Sequence, residues 1–303
     1  MFEVQIMSDL HLEFANTLAH LPSFEPRAPY LDIGQPRKKD YLDFLKAQAE
    51  RFERVFVITG NHEYYSSDRD TVNREIAQFC SSIANLHFLH MSSVLLNDNG
   101  HKVRVLGTTL WNHCPEFYLG HLEATVNDYS LIMFSETPAS SEEEPKKRKL
   151  RAADTNRWHA EEVAWLKAAI AEAKAAGEAV VVLTHHKPGN IMGVGAEWES
   201  LLKPPVILWG YGHTHSSHQW VVNDVLVASN QLGYLQLGEK AGFCPEFVIT
   251  IDNDRKSHIM RNDPDKNRRE ELARELAKIP MAAAPPPPPP PGPPAPKPAA
   301  AKS

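Results

Sequence analysis

Two histidines two positions apart, His213 and His215, follow the apolar run Val206-Ile207-Leu208-Trp209 and two glycines, Gly210 and Gly212. Neutral imidazole is the commonest side-chain metal ligand, and glycine lets the backbone turn tightly beside an ion. The pair also fits a solvated strand, because positions i and i+2 face the same side. Three other segments bear on the choice. Asp9-Leu10-His11 ends a strand-like start, Gly60-Asn61-His62-Glu63 follows Val55-Phe56-Val57-Ile58, and Thr184-His185-His186 follows Val180-Val181-Val182-Leu183. Asp-x-His and His-His are weak signals alone. Gly-Asn-His-Glu is strong, expected by chance in fewer than roughly one chain in a hundred at average residue frequencies. Ligands of His, Asp and Asn without thiolate suit borderline-to-hard divalent ions such as Mn, Fe or Zn.

Something must hold these groups together. Short β-rich runs bounded by turn signals read as buried strands at 1–8, 55–58, 103–106, 180–183 and 206–209. Helical spacing recurs between them: Tyr41, Leu42, Phe44, Leu45, Ala49 and Phe52 in one segment, and Val163, Trp165, Leu166, Ala169, Ile170 and Ala173 in another, which Gly177 is placed to stop. Alternating strands and helices predict an α/β core. Runs at 219–222, 225–229 and 246–251 have no helix between them and predict antiparallel strands, hence mixed sheets. In α/β sheets, sites form beyond the carboxyl ends of strands, so four loops distant in sequence can converge on one point.

The ordered set resembles the calcineurin-like metallophosphoesterase superfamily: Asp-x-His, a Gly-Asp, Gly-Asn-His-Asp/Glu, a single His, then Gly-His-x-His. The context around Val105-Leu-Gly-Thr-Thr-Leu-Trp111 and Asn127-Asp128-Tyr129 is similar to small stand-alone members of bacteria and fungi, and the likeness covers roughly residues 1–252. The resemblance implies a four-layer αββα sandwich, two mixed β-sheets flanked by helices, with a two-metal site at one end. It implies that Asp9, His11 and His215 hold one ion, that Asn61, His185 and His213 hold the other, and that a carboxylate of the second motif bridges them. His186 is the alternative to His185. His62 is implied to be no ligand but the general acid facing the phosphate. Two ions about 3.5–4 Å apart can hold a bridging hydroxide near neutral pH, which makes the implied activity hydrolysis of phosphomonoesters or phosphodiesters. Glu63 has two readings, a carboxylate that tunes His62 and a loop carboxylate facing water.

The second motif departs from the family pattern. In Ala28-Pro29-Tyr30-Leu31-Asp32-Ile33-Gly34, Asp32 matches the bridging position, but Leu31 stands where glycine belongs and little strand remains before it. At about 3.3 Å per residue, a deficit of some four residues removes on the order of 13 Å of reach. Loss of the Asp32 carboxylate would leave the ions less compensated, so a non-catalytic family member acting as an interaction module is the alternative expectation.

The remaining features bound the partners. A formal net charge of −6 argues against a general binder of nucleic-acid backbones and allows a small phosphorylated substrate. Cys80, Cys114 and Cys244 are too few and scattered for a disulfide framework or a thiolate zinc site. With no signal-peptide pattern and no apolar run near about 18 residues, a cytoplasmic chain without a membrane partner is expected. Residues 135–151 read as a polar insert in a domain spanning 1–262, followed by a charged helix at 263–279 and a disordered Pro/Ala-rich tail at 280–303. Within the insert, Pro145-Lys-Lys-Arg-Lys-Leu150 matches a basic nuclear import signal, with a solvated charge block as the plainer reading. Seven consecutive prolines, Pro285 to Pro291, would suit SH3, WW or profilin-type grooves, although such tails are more often plain disordered extensions.

Overall fold

The structure is a computed structural model that describes residues 2–14, 34–98, 100–136, 146–189, 198, 200–239, 242–252, 254 and 256–261. Asp32, the tip of the polar insert, the charged segment 263–279 and the proline tail lie outside the described residues. In chain order the elements are β1 (Phe2–Gln5), α1 (Lys39–Arg51), β2 (Val55–Val57), α2 (Arg69–Ser81), β3 (Leu86–Phe88), β4 (Ser92–Asp98) and β5 (His101–Thr108). Short helices α3 (Leu119–Thr125) and α4 (Asp128–Leu131) precede a small hairpin of β6 (Met133–Ser135) and β7 (Lys147–Lys149). There follow α5 (Ala152–Ala175), β8 (Ala179–Thr184), β9 (Val206–Gly210), β10 (Gln219–Val222), β11 (Val225–Ala228), β12 (Phe247–Ile251) and β13 (Ser257–Arg261).

One sheet runs β10-β11-β9-β8-β5-β4, with β5, β8, β9 and β11 parallel and both edge strands antiparallel. The other face is built from β1-β12-β13 and the parallel pair β2-β3. The layering follows from period-two alternation along buried strands. Val181 and Leu183 pack with Phe56, Ile58, Ile249 and Ile251 in a core between the sheets, whereas Val180 and Val182 pack with Val163, Leu166 and Ile170 of α5. On the opposite side, Val55 and Val57 pack with Tyr41, Phe44 and Leu45 of α1 and with Val72 and Ile76 of α2. Three cores between successive layers make an αββα sandwich, in which the mixed six-stranded sheet faces a layer combining antiparallel β1-β12-β13 with parallel β2-β3.

Local signals set the helix ends. Asp68 caps α2 by accepting from the Thr71 amide at 3.0 Å. The side chain of Asp154 accepts from the Arg151 amide at 2.9 Å at the start of α5, and Gly177, at φ 67°, follows its end. No helix among the described residues is long and apolar enough to cross a membrane.

The stretch expected to be a polar insert narrows. Ser135 pairs with Lys147 and Met133 with Lys149, and Leu150 is buried among the core residues. The basic run is tied down: Arg148 makes two hydrogen bonds to Asp154, at 2.6 and 2.8 Å, and lies over the Phe134 ring. Lys147 pairs with Asp68 at 2.8 Å. Only 137–145 lies outside the described residues between the two strands.

Candidate metal centre

The loops after β1, β2, β8 and β9 meet at the carboxyl ends of their strands. Main-chain bonds knit them: Ser8 N to Asn230 O at 3.0 Å, Gly233 N to Asp9 O at 3.0 Å, Gly212 N to His185 O at 2.8 Å and His186 N to Thr109 O at 3.0 Å. Asp9 is 1% exposed, and its carboxylate accepts from the His213 amide at 3.0 Å and from Ser8 Oγ at 2.6 Å. This close approach explains Gly212. A Cβ there would lie 2.8 Å from Asp9 Oδ2 and 2.9 Å from Ser8 Oγ.

Asp9, His11, His213 and His215 all have left-handed backbones, at φ 55°, 50°, 70° and 50°. Each such residue costs about 1–2 kcal/mol relative to ordinary backbone. Non-glycine residues persist in that region where the surroundings over-determine them, commonly at functional sites. The strain falls on expected ligands from two different loops.

His11, His215 and Asp9 form one cluster. His11 Nδ1 is 3.2 Å from Glu13 Oε1, and His215 Nδ1 is 2.5 Å from Glu239 Oε2. A carboxylate only accepts, so each Nδ1 carries a hydrogen, and in the neutral, ligating form each Nε2 keeps a bare lone pair. These two Nε2 atoms face each other at 3.0 Å, and His215 Nε2 is 3.5 Å from Asp9 Oδ1. Opposed lone pairs beside a carboxylate repel unless a cation lies among them. Two imidazole nitrogens on one tetrahedral zinc would sit roughly 3.3 Å apart, so the donor set fits a divalent ion.

The second cluster comprises His185, His186 and His213. His185 Nε2 is 2.9 Å from Asn61 Oδ1 and 3.1 Å from His213 Nδ1. His186 packs against His213 at a 43° tilt with ring centroids 4.1 Å apart, and its Nδ1 lies 3.4 Å from Thr109 O. Asn61 Nδ2 donates to Asp128 Oδ1 at 2.8 Å, which turns Oδ1 toward the histidines.

His62 stands apart. Its Nδ1 meets Glu13 Oε1 at 2.7 Å and its Nε2 meets the Tyr234 hydroxyl at 2.9 Å. Burial lowers the pKa of His11, His185, His186 and His213, keeping these rings neutral as ligation requires. Burial also pulls His62 down, but the Glu13 hydrogen bond and the charges of Glu13, Glu63 and Asp128 outweigh it, and its pKa rises. The centre therefore separates neutral imidazoles from one that favours its proton.

Glu63 is 1% exposed, which excludes the water-facing reading. Its oxygens accept from the Gly60 amide at 2.8 Å and the Gly34 amide at 3.1 Å. Asp32 lies outside the described residues, but Gly34, two positions later, is docked at the centre by this bond. Gly34 has φ 135°, and a Cβ on it would lie 2.5 Å from Glu13 Oε2.

Asp9, His11, Asn61, His62, His185, His213 and His215 are thus brought together. The sequence reading missed Glu13, Asp128, Tyr234 and Glu239 as members of the centre. Glu13 carried a usable signal, since it extends Asp-x-His to Asp-x-His-x-Glu. Asp128 stood in the Asn127-Asp128-Tyr129 context without a role assigned to it, and Glu239 lies far from the motifs in sequence.

Comparison with known proteins agrees with this geometry. A family model described as calcineurin-like phosphoesterase matches residues 3–217. The chain is 28% identical over 286 residues to an uncharacterized protein of Acanthamoeba polyphaga mimivirus, a match covering 82% of this chain and 96% of that protein. The fold is similar to the crystal structure of phosphopantetheinyl hydrolase PptH from Mycobacterium tuberculosis, with TM-score 0.57 and 15% identity, over 86% of this chain and 95% of that one. A matching family model over more than two thirds of the sequence, together with strained metal-capable loops at the strand ends, shows that the chain belongs to the calcineurin-like phosphoesterase family.

Proposed function

We propose that the chain is a metal-dependent phosphoric ester hydrolase whose centre takes two divalent ions, Mn, Fe or Zn. The observation that carries this reading is the approach of His11 Nε2 to His215 Nε2 at 3.0 Å with both Nδ1 atoms on carboxylates. Asp9, His11 and His215 hold one ion. Asn61, His185 and His213 hold the other, with His185 favoured over His186 because its Nε2 is the nitrogen that meets Asn61 and His213. Asp32 is assigned to bridge them. When bound, the ions supply the activated water and screen the phosphate charge.

The remaining chemistry falls to side chains. His62 keeps its Nδ1 hydrogen on Glu13 and presents Nε2 where the Tyr234 hydroxyl now lies, so a substrate oxygen can take that hydroxyl's place. As the phosphorus–oxygen bond breaks, its electron pair passes to the leaving oxygen, which takes the Nε2 proton. Such acid catalysis contributes about 10²–10⁴-fold. The substrate is a small phosphorylated molecule, monoester or diester, since the net charge of −6 disfavours a nucleic-acid backbone.

The test is to equilibrate the purified chain with manganese, remove free ion, count bound metal, and follow hydrolysis of p-nitrophenyl phosphate and bis(p-nitrophenyl) phosphate before and after chelation. Two ions per chain, reduced by Asp32→Ala, with turnover abolished by chelator, are expected. His62→Ala should keep both ions and lose about 10²–10⁴-fold in turnover of phenyl phosphate, whose leaving group depends on a proton. Zero or one ion, indifferent to Asp32→Ala, would instead establish a non-catalytic member serving as an interaction module.

A further inference from the structure

Glu13 occupies a place that the proposed chemistry leaves unexplained. Its side chain is 5% exposed, and one oxygen, Oε1, is within 3.2 Å of His11 Nδ1 and 2.7 Å of His62 Nδ1. The two rings pack edge to face, with centroids 4.5 Å apart. The other oxygen, Oε2, is buried and faces the space that a Gly34 side chain would fill. A buried carboxylate is costly unless paired and hydrogen-bonded. Here two imidazole N–H groups converge on one oxygen, and a glycine at φ 135° makes room for the other.

We propose that Glu13 is a positioning residue whose shared oxygen orients two rings at once, the metal-facing His11 and the acid His62. This deepens the hydrolase reading and rests on it. Each ring has two nitrogens. With Nδ1–H fixed on Glu13, His11 can offer only Nε2 to an ion, and His62 can offer only Nε2 to a leaving oxygen. The carboxylate faces the far nitrogen of each ring, so its role is orientation rather than ligation. Orientation of a ligating histidine by a carboxylate behind it is a recurrent device, and its loss costs about 10–100-fold in affinity or activity. One carboxylate therefore sets the geometry of the metal side and the leaving-group side together, and the distance between the two rings follows from a single atom.

The experiment compares Glu13→Ala and Glu13→Gln with the parent and with His62→Ala. Three readouts are taken: bound metal at saturating manganese, turnover of phenyl against p-nitrophenyl phosphate, and imidazole N–H signals of zinc-equilibrated, ¹⁵N-histidine-labelled protein. p-Nitrophenolate leaves without a proton, whereas the phenyl leaving group depends on one. Glu13→Ala should lose about 10–100-fold on phenyl phosphate, clearly less on the p-nitrophenyl ester, and keep the parent's metal count. Glu13→Gln, which can still accept from both rings through Oε1, should recover part of the loss. Two carboxylate-bonded Nδ1–H signals should vanish in Glu13→Ala while other histidine signals persist. Loss of an ion at saturating metal would overturn the proposal in favour of direct ligation, and persistence of both signals would overturn it outright. If the parent binds no metal and turns nothing over, the hydrolase reading fails, yet the signals still decide whether Glu13 holds both rings.

Discussion

Asp128 and Asn61 are joined by a 2.8 Å hydrogen bond in which the amide nitrogen donates to a buried carboxylate. An asparagine amide can present either end to an ion. By accepting from Nδ2, Asp128 forces Oδ1 toward His185 and His213. Asp128 Oδ1 also accepts from the Tyr65 hydroxyl at 2.8 Å, a second bond that holds the same oxygen in place. Asp128→Ala should therefore weaken one ion and spare the other. The expected loss is about 10–100-fold in affinity for a single ion, seen as a split in the metal titration curve. Equal weakening of both ions would show that Asp128 supports the loop rather than the amide.

Gly212 is the contact point between the first and last ligand loops. An alanine methyl would fall 2.8 Å from Asp9 Oδ2 and 2.9 Å from Ser8 Cβ, all of it inside the fold. Overpacking of this kind costs about 1–3 kcal/mol. The group pushed aside would be the Asp9 carboxylate. Gly212→Ala is expected to lower thermal stability and to weaken the ion held by Asp9, His11 and His215, both measured on the same preparation with and without metal. Retained affinity in a destabilised variant would mean that Asp9 can retreat without leaving the ion.

How much of this was legible depended on how locally each feature is encoded. Val180 to Leu183 showed its strand in four consecutive residues, and the alternation that sends Val180 and Val182 to one core and Val181 and Leu183 to another is a property of the backbone itself. The ligand motifs were legible because each loop carries its own short signature at a strand end. Glu239 was not. Its contact with His215 depends on a turn at Gly238, with φ 75°, that no spacing rule announces. Asp128 reaches Asn61 across 67 positions of sequence, a pairing only the packed fold creates. The basic run Lys147–Lys149 was legible as exposed charge, but its partners were not. Charge density suggested a solvated segment, and both lysines are exposed, but Asp68 and Asp154 pin Lys147 and Arg148 to the surface of the fold.

That hairpin bears on the import-signal reading. A linear basic signal is read as a free, extended strand with its cationic side chains available. Here Lys147 pairs with Asp68, Arg148 with Asp154, Lys149 donates to the Ser130 carbonyl, and Leu150 is 2% exposed. A synthetic peptide of residues 145–150 is expected to bind a nuclear import receptor at least tenfold more tightly than the folded chain does, measured by fluorescence anisotropy; that factor corresponds to about 1.4 kcal/mol of hairpin opening. Arg148→Ala should destabilise the fold by about 1–3 kcal/mol, because Asp154 loses its two-pronged partner. Equal affinity of peptide and folded chain would show that the hairpin opens at negligible cost.

Glu162 makes folding stability depend on pH. It is fully buried beneath the loop after β5, where Thr108 Oγ1 lies 2.9 Å from one oxygen and the Trp111 amide donates to the other at 2.9 Å. Burial pushes its pKa up from 4.5 to about 7, against the opposing pull of those hydrogen bonds and of Arg69. The neutral acid fits the site, since its hydroxyl can donate to Thr108 Oγ1 while the other oxygen still accepts from Trp111. Between the unfolded and folded values the native chain holds a proton that the unfolded chain has released. The contribution is therefore complete below the unfolded value and is lost as pH rises toward the folded one, a loss of about 3 kcal/mol. Glu162→Gln keeps the shape, and its amide can donate to Thr108 in the same way without titrating. Urea unfolding of parent and variant at a series of pH values, in chelator to remove metal linkage, should show the parent losing about 3 kcal/mol more than the variant from weakly acidic to weakly alkaline pH. Parallel profiles would mean that Glu162 is already ionised in the native fold and that its donors, Thr108 and Trp111, stabilise the charge.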